Sequence, residues 1–165
     1  MQENNSATGL NQLLKILAEK QIDFIVIGGF AGVLYGSSLV TRDLDICMVL
    51  APKSIDRLRE ILKPYSPVHR MTPQRLSFAT EPRSLEGVND LYLETDLGIL
   101  DILSSVKGLP GYEILKQRAT AFTLFGTQVW TLSLSDLIEA KKQMGRPKDL
   151  ITVSELERIQ KDQEN

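Results

Sequence analysis

The segment from Phe24 to Met48, FIVIGGFAGVLYGSSLVTRDLDICM, constrains the fold more than any other part of the chain. It begins with four apolar residues, the length of a short buried strand. Gly28 and Gly29 follow, where a strand must turn sharply and let its backbone come close to another group. Residues 31–35 then indicate a short helix, and a second strand begins near Asp43. This order of strand, glycine turn, helix and strand predicts an α/β fold.

Asp43 and Asp45 are predicted to project from the same face of the second strand, because side chains alternate along a strand. Two carboxylates about 7 Å apart on one strand face repel each other unless a cation lies near them. Mg²⁺ suits this place, since it prefers oxygen ligands and binds through one or two carboxylates plus substrate phosphates. The glycine turn can present backbone N–H groups to those phosphates. The segment therefore predicts a metal and phosphate site.

The spacing of these residues resembles a known signature. Gly28 and Gly29, thirteen residues, and then Asp43-Leu-Asp45-Ile are similar to the signature of the DNA polymerase β-like nucleotidyltransferase superfamily. The longer pattern resembles a branch of small bacterial members, some of whose relatives are toxins in toxin–antitoxin and abortive-infection pairs. Leu39 departs from that pattern, because such relatives often carry an arginine at this position.

The resemblance implies a nucleotidyltransferase fold, an α/β (α+β) arrangement in which a short, mixed, twisted sheet is flanked by helices. It also implies transfer of a nucleoside monophosphate from a nucleoside triphosphate to a hydroxyl group, with Mg²⁺ or Mn²⁺ as cofactor. Two ions would clamp the attacking and leaving oxygens. The implied metal ligands and catalytic residues are Asp43, Asp45 and Asp101. The implied nucleotide contacts are Gly28, Gly29, Ser37, Ser38, Thr41, Arg42, Lys141, Arg146 and Lys148.

Asp101 stands in the middle of the second strand of a predicted hairpin, Leu91–Glu94 and Ile99–Leu103. A carboxylate in so apolar a strand is costly unless a cation or an arginine lies near it. In the resembled family a third acidic residue from a later strand completes the metal site, and Asp101 fits that role by position. A salt-bridged or edge-strand aspartate is the alternative. Asp90, Glu94 and Asp96 are weaker candidates.

The C-terminal part, residues 133–160, is predicted to be helical. Ser133 and Asp136 have the spacing of a capping box, and Gly145 suits the end of that helix. The resembled branch commonly has a lysine in this helix and an Arg-Pro-Lys-Asp turn after it. Lys141, Arg146 and Lys148 would then form a cationic patch. The alternative is a solvated helix end, where cations suit the helix dipole.

Hydrophobic periodicity predicts the remaining elements. Leucines at positions 10, 13, 14 and 17 predict a helix over residues 8–20. Another helix starts near Pro52 with Ser54 as candidate N-cap and ends before Pro64. Residues 64–90 are predicted to be a loop that could cover the substrate, with a short strand at 75–79. Two further elements are a helix at 112–119 and a hairpin at 121–132 with Phe122 and Trp130 in the core. A last helix has an apolar stripe of Leu150, Val153, Leu156 and Ile159. His69 is predicted to be exposed, Cys47 to be buried, and residues 1–8 and 161–165 to be disordered.

Length and composition limit the class of protein. The 165 residues predict one domain, and a net charge of −2 gives no general attraction to nucleic acid. One cysteine excludes an internal disulfide and fits a reducing compartment. The polar N-terminus has no signal-peptide pattern, and the uncharged run at 24–41 is too rich in glycine for a membrane span. We therefore expect a cytoplasmic protein that does not enter a membrane.

Two other functions fit the same residues. The fold could serve as a non-catalytic module, antitoxin-like or regulatory, that binds a partner protein, and the missing arginine at Leu39 favours that reading. The same metal site could also transfer a phosphate instead of a nucleotide. The acceptor is open: a protein side chain, a tRNA end and a small molecule, including an antibiotic, are all compatible with the sequence.

Overall fold

The computed structural model describes residues 2–165, with side chains from residue 8 onward. One seven-stranded mixed sheet is flanked by helices. The strands are β1 (Ile25–Ile27), β2 (Asp43–Cys47), β3 (Val68–His69), β4 (Asp90–Thr95), β5 (Gly98–Leu103), β6 (Thr120–Leu124) and β7 (Thr127–Thr131). The helices are α1 (Gln2–Glu19), α2 (Gly28–Leu34), α3 (Pro52–Leu62), α4 (Tyr112–Arg118), α5 (Leu134–Met144) and α6 (Pro147–Glu164).

The sheet has the strand order β3-β4-β5-β2-β1-β7-β6. β2 runs parallel to β5 and β1 runs parallel to β7, while the other neighbouring pairs are antiparallel. The predicted α/β fold with a mixed sheet is therefore confirmed. The register places Asp45 directly beside Asp101 on β5, so that the two predicted acidic strands meet at the centre of the sheet.

The hydrophobic core covers the sheet face opposite these carboxylates. Leu44 and Ile46 on β2, together with Leu100 and Ile102 on β5, are fully buried. The helix α1 contacts β2, β5 and β7, and its leucines at 10, 13, 14 and 17 are fully buried as their spacing predicts. Alternation along β2 and β5 thus separates an apolar face from a face that carries the acidic residues. No helix among residues 2–165 is both long and apolar enough to cross a membrane.

Several local predictions differ from the structure. The helix α1 begins at Gln2 and α6 continues to Glu164, while Met1 lies outside the described residues. Disorder at residues 1–8 and 161–165 stays a prediction. Ser54 is not the N-cap of α3, because Ala51 holds that position. The Ser54 hydroxyl instead accepts a 2.9 Å hydrogen bond from the backbone N–H of Ala51. Trp130 is exposed, since it lies on the outer face of β7 under the ammonium group of Lys116. Leu150 is also exposed on α6.

The segment 71–89 is tied to α3 and does not line the cleft described below. Phe78 is fully buried, and its carbonyl oxygen accepts a 2.8 Å hydrogen bond from Arg59 on α3. The predicted strand at 75–79 reduces to a single bridge between Ser77 and Val68. His69 is half-buried in β3 and packs edge-on against Phe78. None of residues 71–89 lines the cleft.

Candidate active site

Three carboxylates meet on the polar face of the sheet. Asp43 and Asp45 project from β2, and Asp101 projects from the parallel neighbour β5. One carboxylate oxygen from each of the three lies within 4.8 Å of the others. Asp101 therefore lies on the same face as the other two and within reach of a shared cation, as predicted.

The glycine turn lies directly against Asp45. Gly28 has a φ of +69°, a conformation that favours glycine. A Cβ atom built at Gly28 would collide with Asp45 Oδ2 and lie 3.1 Å from both the Cβ and the Cγ of Asp45. At Gly29 a Cβ atom would lie 3.3 Å from Thr41 Oγ1. The lack of side chains in this turn thus leaves the Asp45 carboxylate room to reach the cleft.

Burial and neighbouring carboxylates raise the pKa of two members of the cluster, Asp45 and Asp101. Burial, followed by the charges of Asp101 and Asp43, raises the pKa of Asp45 from 3.8 to about 6. Burial is also the main cause that raises the pKa of Asp101, against the lowering effect of Arg70. Carboxylates that repel one another at this distance are suited to bind a cation, because the cation relieves the repulsion.

Arg70 binds Asp101 and was not predicted from the sequence. Its Nε donates to Asp101 Oδ1 at 3.1 Å and its Nη2 to Asp101 Oδ2 at 2.5 Å. The predictions for Asp101 included both a metal ligand and a salt-bridged aspartate, and the structure combines the two geometries. The general need for a cation near Asp101 was predictable, but nothing in the sequence indicated which of the basic residues would supply it.

A second cluster of charges lies where α5 meets α6. Asp149 is only 1% exposed and binds two cations: its Oδ2 accepts from Arg146 Nε at 2.6 Å, and its Oδ1 lies 3.6 Å from Lys141 Nζ. Burial alone would raise the pKa of Asp149, but the hydrogen bonds and charge of Arg146, with the charge of Lys141, lower it overall. Asp149 thus fixes two of the three basic residues predicted as nucleotide contacts.

Replacing Asp149 with asparagine is expected to lower the free energy of unfolding at pH 7 by on the order of 2 kcal/mol, because Lys141 loses its buried anionic partner while half-exposed Arg146 is less affected. Since the folded-state pKa of Asp149 is lowered, this difference should be present above pH 3.8 and shrink as the pH falls below it. Urea denaturation measures it.

Glu157→Gln provides the matched control, because Glu157 pairs with Lys142 between the same two helices but both side chains are half-exposed. An exposed pair of this kind contributes about 0–1 kcal/mol. Equal destabilisation by the two substitutions would contradict the assigned role of Asp149.

A cleft of about 720 Å³ joins the acidic cluster to the basic residues. It lies between the sheet and helices α5 and α6, and most of the predicted site residues line it: Gly28, Gly29, Thr41, Arg42, Asp43, Asp45, Asp101, Lys141, Arg146 and Lys148. Among the other residues that line the cleft, Tyr92 and Lys107 are polar side chains that were not predicted.

Ser37 and Ser38 were predicted as nucleotide contacts, but neither lines the cleft. The Ser38 backbone N–H donates to Glu155 Oε1 at 2.6 Å, and its hydroxyl donates to Glu155 Oε2 at 3.2 Å. The Ser37 hydroxyl accepts from the backbone N–H of Leu39 at 3.2 Å. A carboxylate from α6 therefore holds the Ser38 donors that were predicted to bind the nucleotide. This long-range contact could not be derived from the sequence.

Comparison with solved structures identifies the fold. The lincosamide antibiotic adenylyltransferase LnuA, with lincomycin bound, matches with a TM-score of 0.60 and 15% sequence identity over 92% of this chain and 96% of its own. A candidate nucleotidyltransferase from Thermotoga maritima matches with a TM-score of 0.53 and 17% identity over 88% of each chain. The chain has the nucleotidyltransferase fold.

An antigenic nucleotidyltransferase-like protein from Paracoccidioides brasiliensis extends this comparison, with a TM-score of 0.55 and 19% identity over 94% of this chain and 75% of its own. No protein-family model and no curated protein matches the sequence. The nucleotidyltransferase fold is therefore shared with proteins whose sequences have diverged widely, and the function must be argued from the site itself.

Proposed function

We propose that this protein transfers a nucleoside monophosphate from a nucleoside triphosphate to a hydroxyl group of an acceptor. The observation that carries the proposal is the convergence of Asp43, Asp45 and Asp101, with ligand oxygens within 4.8 Å of one another, beside the turn at Gly28 on a nucleotidyltransferase fold. Either feature alone is common in proteins. Their combination in one cleft supports the proposal of a metal site beside a phosphate site.

The acidic cluster fits a divalent cation such as Mg²⁺ or Mn²⁺. Its donors are all carboxylate oxygens, which these ions prefer. The raised pKa of Asp45 results partly from the charges of Asp101 and Asp43, and a bound cation would relieve that repulsion. Asp43 and Asp45 would hold the ion, with Asp101 beside them. A divalent ion supplies charge neutralisation at the phosphates and polarises the oxygens that it binds.

The chain's own residues suit the rest of the reaction. Three basic residues line the cleft and would bind the triphosphate: Lys141 on α5, Arg146 at the N-cap of α6 and Lys148 on α6. Thr41 and Arg42 also line it. Positioned in this way, the acceptor hydroxyl loses its proton to water and its oxygen attacks the α-phosphorus. The bond from the α-phosphorus to the bridging oxygen breaks, and pyrophosphate leaves with that oxygen. Positioning and electrostatic stabilisation supply most of the catalysis in phosphoryl-type transfers.

A small hydroxylated molecule is the acceptor that we propose first. Leu39 and Val40 are exposed at the cleft, and Leu103 and Val106 line it on the β5 side. These side chains offer apolar contacts beside the acidic cluster. LnuA, an adenylyltransferase of lincosamide antibiotics, matches over nearly its whole length, which shows that a chain of this size and fold can act on a small molecule. A tRNA end or a protein hydroxyl are the other acceptors to test.

The test is incubation of the purified protein with Mg²⁺ and each of the four common triphosphates labelled at the α-phosphate. The acceptors are lincosamide and other hydroxylated antibiotics, bulk tRNA, and cell extract. We expect label in one low-molecular-weight product, and none with Asp45→Asn. Label only in the tRNA or protein fraction would reject the small-molecule acceptor while keeping nucleotidyl transfer. A relation to toxin–antitoxin proteins stays a prediction from the sequence pattern.

A further inference from the structure

The Arg70–Asp101 pair changes the charge of the candidate metal site. Arg70 follows β3 directly and reaches Asp101 across β4. Both carboxylate oxygens of Asp101 accept hydrogen bonds from this guanidinium, at 3.1 and 2.5 Å. Bidentate pairing of this kind is the strongest geometry that arginine forms with a carboxylate. The oxygen ligands that Asp101 could offer to a cation are therefore shared with a permanent positive charge.

Arg70 is held in this place by more than Asp101. Its backbone N–H donates to the carbonyl oxygen of Tyr92 at 3.0 Å, and its guanidinium lies 5.5 Å from the centre of the Tyr92 ring. The side chains of Arg70 and Asp101 are only 23% and 12% exposed. By contrast, Arg75 in the following loop pairs with Glu94 on β4, and these two side chains are 50% and 43% exposed. The Arg70 pair is thus built into the site, whereas the Arg75 pair is an ordinary surface pair.

Arg70 limits what the protein can offer to a second divalent ion. Both carboxylate oxygens of Asp101 already bind the guanidinium, whose positive charge proteins do not remove. The carboxylates left as ligands for a divalent ion are then Asp43 and Asp45. A second ion beside Asp101 would meet the guanidinium at close range, and like charges at such distances in a partly buried site repel strongly.

We infer that Arg70 is the resident cation on the β5 side of the site, and that the protein therefore binds one divalent ion with its triphosphate instead of two. Asp43 and Asp45 hold this ion. Asp101 stays bound to Arg70, whose guanidinium also packs against the Tyr92 ring. This inference rests on the proposed nucleotidyltransferase function, and it replaces the two-ion arrangement that the sequence resemblance implies.

Equilibrium dialysis with Mn²⁺ and inorganic triphosphate tests the inference, because it counts both bound species per chain and needs no activity. We expect one Mn²⁺ per bound triphosphate in the wild type. Arg70→Gln removes the guanidinium charge and should bind two. Arg70→Lys keeps the charge and should bind one, and Arg75→Gln, which removes an arginine outside the cleft, should also bind one.

Thermal unfolding supplies a second readout. Arg70→Gln leaves Asp101 without its cation, so the metal-free variant should unfold at a lower temperature and gain more from Mn²⁺ with triphosphate than the wild type does. If that variant does not fold, the double variant Arg70→Gln with Asp101→Asn removes both charges of the pair. It should bind one Mn²⁺ with triphosphate, as the wild type does. Two bound ions in this double variant would overturn the inference.

The outcomes separate this inference from the proposed function. Two Mn²⁺ ions in the wild type, or one in both the wild type and Arg70→Gln, would overturn the role of Arg70 while leaving a metal-dependent nucleotide site in place. No Mn²⁺-dependent binding of triphosphate to the wild type would overturn the proposed function together with the inference.

Discussion

Asp45→Asn is expected to abolish nucleotidyl transfer and at the same time to stabilise the metal-free protein at neutral pH. The substitution removes one negative charge from the carboxylate pair that would hold the divalent ion, while keeping nearly the same shape. Loss of several kcal/mol of transition-state stabilisation by the ion corresponds to a decrease in rate of about 10³-fold or more. A rate assay with labelled triphosphate measures this loss.

The gain in stability follows from the raised pKa of Asp45. The folded-state pKa of about 6 lies above the ordinary value of 3.8, so the folded protein binds a proton more tightly than the unfolded chain does. The contribution of Asp45 to the free energy of unfolding of the wild type therefore falls as the pH rises from 3.8 to 6, and it is constant above that range. Asparagine does not titrate. The variant should thus be the more stable protein above pH 6, by at most about 3 kcal/mol, and the advantage should disappear near pH 4.

Urea denaturation of metal-free wild type and variant between pH 4 and pH 8 measures this difference. Mg²⁺ with triphosphate should then reverse the order, since the bound ion stabilises the wild type and not the variant. A variant that keeps the biological effect of the wild type would reject catalysis and support the non-catalytic, partner-binding alternative. A variant that is inactive and unfolded would contradict the assignment of Asp45 to the site chemistry.

Gly28→Ala is expected to lower the free energy of unfolding by about 3 kcal/mol or more and to remove binding of metal with triphosphate. The φ of +69° alone costs an alanine about 1–2 kcal/mol. The added Cβ would also collide with the Asp45 carboxylate, and the collision must displace either the turn or the metal ligand. Urea denaturation and equilibrium dialysis measure the two effects.

Gly126→Ala is the matched control for the backbone strain. Gly126 has a similar φ of +74°, but a Cβ atom there would have nothing within 4 Å. Its substitution should cost only the strain of the positive φ and leave binding unchanged. If the two alanine variants lose the same stability and both still bind, the close approach of Gly28 to Asp45 has no functional meaning.

The order of elements and the acidic cluster could be predicted because they depend on local pattern. Four apolar residues before Gly28 and the alternation around Asp43 and Asp45 determine a strand, a turn and one polar strand face. Asp101 could be placed on that face by the same alternation along β5. The pairing of β2 with β5 could not be derived from local pattern. The structure shows this pairing, with Asp45 beside Asp101, and it agrees with the resembled family, in which the third acidic residue comes from a later strand.

Contacts between distant segments could not be predicted. Arg70 is separated from Asp101 by a loop whose path depends on the burial of Phe78. Glu155 on the last helix accepts a hydrogen bond from the Ser38 backbone N–H. The sequence suggested a phosphate contact here instead, because a glycine and two serines after a short helix are also typical of a phosphate-binding loop. In each case the sequence shows a group that requires a partner, either a buried carboxylate or a set of hydrogen-bond donors. It does not indicate which distant residue supplies that partner.

The position of the transferred label tests the central claim most directly. Wild-type protein and Asp45→Asn are each incubated with Mg²⁺, acceptor, and triphosphate labelled at either the α-phosphate or the γ-phosphate. The proposed function predicts that wild-type product carries the α label and none of the γ label, that pyrophosphate forms in equal amount, and that the variant gives no product. Product that carries the γ label would show a phosphotransferase instead, and equal labelling by wild type and variant would contradict catalysis at these carboxylates.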